Sequence, residues 1–270
     1  MISVLRTFLR FLGFLFITAR ALTDYFFHVR RRGASLHDRA EWCHRWAVSY
    51  LRLLNVEVTS RGTPPTAGLL ACNHLSYLDI LVLGGANRQI FLSKAEVRNW
   101  PIIGALTRCA GTLFVRRDRK ADVAELQNSF ANVVRQGLPV TIFPEGTSSD
   151  GSRVLPFFSS LLEPAAKENW PVTPGWIGYR LEEGQGNVAD DICYWRDMTF
   201  GPHFLKLLSK KKIHATVVFG EPIEPGLNRK QMAAALHKEV SALAAEHREF
   251  APAVGDLDSE DLEPSFNAQS

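Results

Sequence analysis

The sequence predicts an α/β fold with a mostly buried sheet flanked by helices, because short apolar runs alternate with segments of helical periodicity. The chain has 270 residues, of which 46% are hydrophobic and 22% are charged. This composition is typical of a globular protein with enough apolar side chains for a sizeable core. The net charge of +3 is too small to indicate a nucleic-acid partner.

Apolar runs separated by helical patterns carry the strand prediction. The predicted strands are residues 68–72, 89–93, 111–115, 139–143, 171–179 and 214–220. Helical periodicity predicts helices over 36–54 and 122–137. A last helix is predicted to begin at Asn228, because Gln231 three residues later completes a capping-box pattern. We therefore place an α/β domain over 55–250.

The four cysteines are widely scattered, and no pair has the spacing of a zinc site or a redox CxxC motif. They are Cys43, Cys72, Cys109 and Cys193. We expect reduced thiols that pack as small apolar side chains in a cytosolic environment. The tail 251–270 holds five acids and no base, so we expect it to be disordered.

The amino terminus is apolar around most of a helical circumference. Its longest run without a charge, FLGFLFITA, has nine residues, whereas a spanning helix needs roughly 20. The charged residues of this helix and Gly13 fall on one narrow strip of its surface. They are Arg6, Arg10, Gly13, Arg20 and Asp24. We expect residues 1–54 to form amphipathic helices in the membrane interface, with the arginines of the first helix toward lipid headgroups.

Two alternatives remain for this segment. Its basic start and apolar centre could also belong to a signal peptide. It could instead be a core helix with a few exposed arginines. The cluster Arg30-Arg31-Arg32 favours the membrane interpretation, since it follows the apolar segment and could pair with anionic lipid.

The stretch LLACNHLSYLDILVL places a histidine and an aspartate between a predicted strand and an apolar helix. Residues five apart diverge by about 140° on a continuous helix, so His74 and Asp79 can meet only if His74 precedes it. Asn73 and Ser76 are suited to start such a helix. A histidine in a turn, oriented by a carboxylate, can act as a general base. The alternative is a helix cap in which His74 bonds to backbone.

Two polar segments follow later predicted strands. TIFPEGTSSDGS, residues 141–152, presents Glu145, Thr147 and several serines, while Gly146 permits a tight turn. Such a loop is a natural ligand site at the carboxyl end of a strand, although it could equally be a solvated turn. GTLFVRRDRK ends a strand with cations, including Arg117, which suit a phosphate unless they form only a solvated charge run.

The blocks NHLSYLD, GTLFVRR, FPEGTSS and PVTPGWIGY, in this order, resemble the glycerolipid acyltransferase family, whose best-known members are the 1-acylglycerol-3-phosphate acyltransferases. The resemblance covers roughly residues 65–225. It implies a mixed sheet and an amino-terminal helical pair docked in the bilayer. It also implies that His74 deprotonates the acceptor hydroxyl while Asp79 orients the imidazole.

The resemblance assigns acceptor binding to two of the blocks. The residues implied are Gly111, Phe114 and Arg117 for the headgroup, and Glu145, Gly146 and Thr147 for the acceptor site. One departure follows the FPEGTSS block. Phe158 and Ser160 in LPFFSSLL stand where phosphatidic-acid-forming members usually carry a lysine and a glycine. This pattern is closer to a bacterial branch that includes lyso-ornithine lipid acyltransferases.

The resemblance therefore predicts a membrane-associated O-acyltransferase that uses acyl-CoA or acyl-carrier protein as co-substrate and needs no other cofactor or metal. The predicted acceptor is a lysolipid, with 1-acylglycerol-3-phosphate expected and lyso-ornithine lipid as the alternative. We expect peripheral or monotopic attachment to the cytoplasmic face of the inner or cell membrane.

Other interpretations remain open. An acyl-thioester hydrolase would use the same pair to activate water, although the sequence has no G-x-S-x-G elbow. A non-enzymatic peripheral lipid-binding protein would need only the amphipathic amino terminus. A metal site on His74 and Asp79 would need His203 or His214 nearby in space. The aromatic segment 193–204 is expected to pack at the far edge of the sheet, or else to line a substrate channel.

Overall fold

The computed structural model describes residues 2–116, 121–223 and 225–250, without the side chains of Ile2 and 121–125. Arg117 and the tail 251–270 lie outside the described residues, and so do the predictions made for them.

The described chain alternates helices and strands. Its helices are α1 (Ile2–Asp24), α2 (Leu36–Leu54), α3 (Leu78–Ala86), α4 (Ile103–Cys109), α5 (Ala121–Arg135), α6 (Glu163–Glu168), α7 (Val188–Asp191), α8 (Phe200–Ser209) and α9 (Arg229–Glu246). Its strands are β1 (Val56–Arg61), β2 (Leu69–Cys72), β3 (Ile90–Lys94), β4 (Leu113–Val115), β5 (Val140–Ile142), β6 (Val172–Leu181) and β7 (Ile213–Phe219). The predicted strands and helices are present, and α9 begins with the predicted capping box of Asn228 and Gln231.

These strands form one sheet in the order β1-β7-β6-β2-β5-β3-β4. β6 and β7 pair antiparallel, and the other neighbouring pairs are parallel, so the sheet is mixed. β1 was not predicted, although Val56 and Val58 alternate with polar residues. β1 lies at an edge of the sheet, and most of its residues remain exposed.

The sheet is buried because both of its faces are covered by helices. Leu70 and Cys72 point to one face, where they join a core with side chains of α2, α3 and α8. Leu69 and Ala71 point to the other face and pack with α5, α6 and α9. A strand covered on both sides needs an uninterrupted apolar run, which is why β2 was recognisable in the sequence.

α1 turns Arg6 and Arg10 toward the protein, whereas Arg20 is exposed. The buried guanidinium of Arg10 donates to carbonyl oxygens at the C-terminal end of α8, including Leu208 O at 3.2 Å. Arg6 Nε donates to Ser209 O at 2.9 Å. The prediction that these two arginines face lipid headgroups was wrong, because the unpaired carbonyls at a helix end attract a cation. The exposed apolar side chains of α1 are Val4, Leu5, Phe8, Leu9, Phe11, Leu12, Leu15 and Phe16.

α2 packs inside the fold. Leu51 and Leu54 join the core beside α3, and Trp42 Nε1 donates to a carbonyl oxygen of α1 at 3.0 Å. The exposed apolar surface of this region therefore belongs to α1 and to Phe26 and Phe27 in the short π-helix, Tyr25–Val29, that follows it. Within the described residues, no helix combines the length and the apolar character needed to cross a bilayer.

Candidate active site

Two loops meet at the carboxyl-terminal edge of the sheet. β2 and β5 are parallel neighbours, so the segments after Cys72 and Ile142 leave the sheet on the same side. The first loop carries His74 and the second carries Glu145. The backbone N–H of His74 donates to Glu145 Oε2 at 2.9 Å, although the two residues are 71 positions apart. The two polar blocks of the sequence therefore form one site.

His74 lies in the turn before α3 and contacts Asp79. His74 Nδ1 and Asp79 Oδ2 are 2.7 Å apart. The contact is possible because α3 begins only at Leu78, so His74 precedes the helix and its ring can swing over the first turn. The separation of five positions between His74 and Asp79 predicted this geometry, in which His74 precedes the helix.

Asp79 is fully buried and surrounded by donors. Its Oδ2 accepts the backbone N–H groups of Leu75 and Ser76 at 2.7 and 3.0 Å, and its Oδ1 accepts the hydroxyl of Tyr179 at 2.6 Å. Because these donors leave the carboxylate acting only as an acceptor, His74 Nδ1 carries the ring proton. The other ring nitrogen, Nε2, then presents its lone pair.

The imidazole of His74 is held on two sides and open on another. One face of its ring stacks on Phe143, with centroids 4.1 Å apart and planes at 19°. The side chain is 22% exposed, and no described residue bonds to Nε2. Nε2 is therefore free to accept a proton from a bound molecule.

The start of α3 differs from the prediction. Asn73 does not cap the helix, since its side-chain amide exchanges two hydrogen bonds with the backbone of Ile177, at 3.0 and 2.8 Å, and pins β2 to β6. Ser76 does not cap it either, because its buried Oγ has no partner among the described residues. Asp79 accepts the amides at the helix start instead, so one carboxylate both orders the turn and orients His74.

Glu145 links the loops through backbone contacts. Besides the N–H of His74, its carboxyl accepts the N–H of Leu155 at 2.8 Å. Burial raises the pKa of Glu145 to about 8, and the two amide donors oppose this shift without cancelling it. Each carboxyl oxygen of Glu145 thus accepts one backbone N–H group, Oε2 from His74 and Oε1 from Leu155.

The rest of the FPEGTSS block forms a tight turn beside the loop of His74. Gly146 adopts φ +74° and donates to Phe143 O at 3.0 Å, which closes the predicted tight turn. Thr147 is exposed. The N–H of Phe158 donates to Pro144 O at 2.8 Å, so Phe158 lies beside this turn, with its side chain 40% exposed.

Cations lie at the same edge of the sheet. Lys94 ends β3 and Arg116 follows β4, and both side chains are exposed. Since β3 and β4 run parallel to β5, their carboxyl ends point toward the side that carries His74.

The aromatic segment 193–204 packs on the loop of His74. The N–H of Tyr194 donates to Leu75 O at 2.8 Å, and His203 Nδ1 accepts the hydroxyl of Tyr77 at 2.9 Å. The expectation that this segment packs at the far edge of the sheet was therefore wrong. The loop before α3 leaves backbone groups that a neighbouring segment must satisfy.

In the part of the chain that the structure describes, no group of three or more His, Cys, Asp or Glu is arranged to hold a metal ion. His203 is engaged by Tyr77, and His214 Nδ1 lies 3.2 Å from Glu57 Oε2. Neither histidine joins His74. The four cysteines are free, and three of them are buried.

Tyr179 is the site residue that sequence reasoning missed. It lies at the end of the apolar block PVTPGWIGY, and its hydroxyl reaches Asp79 across 100 positions. A signal was available, because a tyrosine in a strand buried on both faces needs an acceptor for its hydroxyl. Asp79, on a buried helix without a basic neighbour in sequence, was the matching acceptor.

A family model described as Acyltransferase matches residues 55–178, the part that holds both loops. The lyso-ornithine lipid O-acyltransferase of Rhodobacter capsulatus is 36% identical in an alignment of 198 positions that covers 70% of this chain and 70% of that protein. This chain belongs to the acyltransferase family. The predicted enzyme class is thereby confirmed, and the interpretation as a non-enzymatic lipid-binding protein was wrong.

Other relatives of this acyltransferase carry two names. The lyso-ornithine lipid O-acyltransferase of Pseudomonas aeruginosa is 33% identical over 76% of this chain and 79% of its own length. The 1-acyl-sn-glycerol-3-phosphate acyltransferase of Neisseria meningitidis is 30% identical over 49% of this chain and 54% of its own length. The crystal structure of the 1-acyl-sn-glycerophosphate acyltransferase from Thermotoga maritima has the same fold, with a TM-score of 0.68, 21% identity and coverage of 91% and 96%.

Proposed function

We propose that this acyltransferase transfers a fatty acyl group from a thioester donor to a lysolipid hydroxyl, with His74 as general base and Asp79 as the residue that orients it. One observation carries the proposal. Nε2 of His74 is open, while the Nδ1 proton is held by a buried carboxylate. A base in this state can remove a hydroxyl proton as the oxygen attacks.

In the proposed step, the acceptor oxygen forms a bond to the thioester carbonyl carbon as its proton passes to His74 Nε2. The tetrahedral intermediate then expels the thiolate, which takes the proton from His74 and leaves as the free thiol of coenzyme A or acyl-carrier protein. The C–O bond replaces the C–S bond, and no covalent enzyme intermediate is needed because the thioester is already activated. Asp79 stabilises the imidazolium between the two proton transfers.

The proposed acceptor is a lyso-ornithine lipid. An ornithine headgroup has an ammonium as well as a carboxylate, so it needs less positive charge from the protein than a phosphate does. Phe158 supports this choice, because an apolar side chain lies beside the FPEGTSS turn where a lysine is usual in phosphatidic-acid-forming relatives. Relatives named for this acceptor match over about two thirds or more of their length.

1-Acylglycerol-3-phosphate is the second candidate acceptor. Lys94 and Arg116 favour it, since both cations are exposed at the edge of the sheet that carries His74. A phosphate would be attracted by this pair even without a lysine at position 158.

We also propose that the protein meets its lipid substrate at a membrane surface through α1. The helix presents a row of exposed Leu, Val and Phe side chains, and Arg30, Arg31 and Arg32 follow it as an exposed basic turn. Apolar side chains with adjacent arginines suit an interface that contains anionic lipid. This refines the predicted anchor 1–54, because α2 buries its apolar face within the fold.

The acceptor is tested with the purified full-length protein in detergent–lipid micelles. Labelled acyl-CoA or acyl-carrier protein is supplied with lyso-ornithine lipid or with lysophosphatidate, and both lipid products and free fatty acid are measured. We expect kcat/KM for lyso-ornithine lipid to exceed that for lysophosphatidate by at least about tenfold. Faster acylation of lysophosphatidate would favour the second candidate acceptor. Release of free fatty acid at a rate that does not depend on either acceptor would indicate a thioester hydrolase.

Two variants sharpen this test. His74→Ala should lower kcat by roughly 10²–10⁴ with either acceptor, whereas the control His214→Ala on β7 should leave kcat near wild type. Phe158→Lys should raise turnover of lysophosphatidate relative to lyso-ornithine lipid, because it supplies a cation beside the FPEGTSS turn. An unchanged ratio of the two rates would show that Phe158 does not influence the choice of acceptor.

A further inference from the structure

The loop between β3 and α4 contains a strained turn. Ile102 has φ +61° and ψ −61°, and Ile103 N–H donates to Pro101 O at 2.6 Å, which defines a γ-turn. Branched side chains rarely adopt this backbone conformation. Gly104 allows the chain after this turn to pack closely on the segment before it, since a Cβ at this position would lie 2.3 Å from the carbonyl oxygen of Arg98. Strain of this kind persists only where the surrounding structure imposes it.

The turn displays two large apolar side chains on the surface. Trp100 is 37% exposed and Ile102 is 42% exposed. Most large exposed apolar side chains of the described chain lie on α1 and the π-helix after it, and this pair adds a second group on the loop. Two large apolar side chains, two positions apart, that a strained turn holds at the surface are typical of a binding surface.

The loop and α1 are connected by a row of aromatic rings. Trp100 meets Phe200 at 6.1 Å, Phe200 stacks on Phe204 at 5.5 Å, and Phe204 meets Phe14 of α1 at 4.9 Å, all between ring centroids. At the other end of α4, Cys109 packs in one cluster with Ala21 of α1. The apolar side chains of the loop are therefore continuous with the helix that we propose meets the membrane.

The charges around the loop fit an anionic surface. Arg98 and Arg108 flank Trp100 and Ile102 in sequence, and both side chains are exposed, as is Lys94. Glu96 is the one exposed acid of residues 94–108. A tryptophan beside arginines is the composition found where proteins meet the headgroup layer of a bilayer.

We propose that Trp100 and Ile102 form a second membrane contact beside α1, inserted at the boundary of headgroups and acyl chains of an anionic bilayer. This inference rests on the proposed use of a membrane lipid as acceptor. β3 leads from the edge of the sheet that carries His74 into this loop, so a bilayer docked on the loop would lie at the edge of the sheet where the lysolipid is acylated.

The first test uses Ile102→Gly. Glycine tolerates φ +61°, so this variant removes the apolar side chain while relieving the strain of the turn. We expect its binding to vesicles of phosphatidylcholine and phosphatidylglycerol to weaken by about tenfold. Its thermal midpoint should equal or exceed that of the wild type, and its activity with detergent-dispersed acceptor should be retained. A loop with a purely structural role would not separate these readouts.

The second test locates the contact directly. Vesicles with brominated acyl chains quench the fluorescence of tryptophan that enters the membrane. We expect quenching in the wild type to be largely lost in Trp100→Phe and retained in Trp170→Phe. Trp170 is a suitable control because it precedes β6, at the end of the sheet opposite to the one that carries His74.

Each outcome bears on a distinct claim. If the wild type binds vesicles while Ile102→Gly binds equally well and Trp100→Phe remains quenched, the loop proposal is overturned and contact through α1 stands. If Phe8→Asp on α1 abolishes vesicle binding in that case, the membrane contact is assigned to α1. A wild type that ignores vesicles yet acylates dispersed lysolipid overturns both membrane contacts but not the chemistry. A change in sedimentation of Ile102→Gly without lipid would assign the surface to self-association instead.

Discussion

At the scale of single residues, the site depends on how one buried carboxylate is solvated by the protein. Asp79 has no solvent-exposed surface, and a charge in that position is tolerated only because nearby donors replace the lost hydration. Tyr179 and two backbone amides supply those donors, and His74 completes the set. The same contacts that make the burial of Asp79 possible also determine which nitrogen of His74 is free.

Replacing Asp79 with Asn tests whether this charge matters for catalysis. The amide oxygen can still accept from His74, and the Tyr179 hydroxyl can turn to accept from the amide nitrogen, so the fold should survive. We expect kcat to fall by roughly 10²–10⁴, because an uncharged partner stabilises the imidazolium less well. Steady-state kinetics measure the effect. Asp191→Asn, which weakens an ion pair with Lys210 away from the site, is the matched control and should leave kcat unchanged.

Glu145 gives the protein a stability that depends on pH. Its pKa in the folded state, about 8, lies above the usual range of a glutamate because its carboxyl is buried. Between these two pKa values the folded state holds a proton that the unfolded state has lost. The free energy of unfolding therefore falls as pH rises through this window, and the contribution is lost above about 8.

Glu145→Gln should remove this dependence, since an amide does not titrate. We expect the difference in unfolding free energy, wild type minus variant, to decrease as the pH is raised from about 5 to about 8. Urea unfolding at several pH values measures it. A difference that is flat, or that grows with pH, would contradict the raised pKa. The variant should also lose activity, because its NH₂ group cannot accept the N–H of His74 or of Leu155.

At the scale of elements, α1 is held by a helix end. α8 ends with free carbonyl groups, and the guanidinium of Arg10 fills that position, at the C-terminal end where the helix dipole favours a cation. Desolvation lowers the pKa of Arg10, so its burial is costly unless these acceptors are present. Arg6 and Arg10 thus attach α1 to the end of α8, and the apolar side of α1 remains exposed.

Arg10→Met measures the strength of this attachment. Methionine keeps much of the aliphatic stem but cannot donate to the end of α8, so we expect a loss of about 1.5–3 kcal/mol in unfolding free energy. Arg20→Met is the matched control, because Arg20 is exposed on the same helix, and its effect should stay within about 0.5 kcal/mol. Equal effects in a denaturant titration would show that Arg10 is not the anchor.

At the scale of the whole molecule, parallel pairing gathers groups that are distant along the chain. β2, β3, β4 and β5 deliver their carboxyl ends to one edge of the sheet, and β6 brings Tyr179 beneath Asp79. Two phenylalanines of α8 contact α1 and the β3–α4 loop through aromatic rings. Phe200 of α8 also contacts Tyr77, which follows His74 in the turn before α3. The fold thus joins the proposed base to the surface that we propose meets lipid.

Much of this arrangement was readable from local patterns. Continuous apolar runs identified the buried strands, and the capping box at Asn228 located the start of α9. The contact between His74 and Asp79 followed from spacing, because only a histidine in the preceding turn can reach that carboxylate. The partners of Arg6 and Arg10 were not readable, since the acceptors at the end of α8 lie about 200 positions away.

The sequence by itself determined the α/β fold, the polar blocks and the pair of His74 with Asp79, because these depend on periodicity and on spacings of a few residues. Only the tertiary structure decided the tautomer of His74, the donor role of Tyr179 and the inward direction of Arg6 and Arg10. Each of these depends on a hydrogen-bond partner brought close by chain folding, and a buried polar group takes whichever partner the fold places beside it.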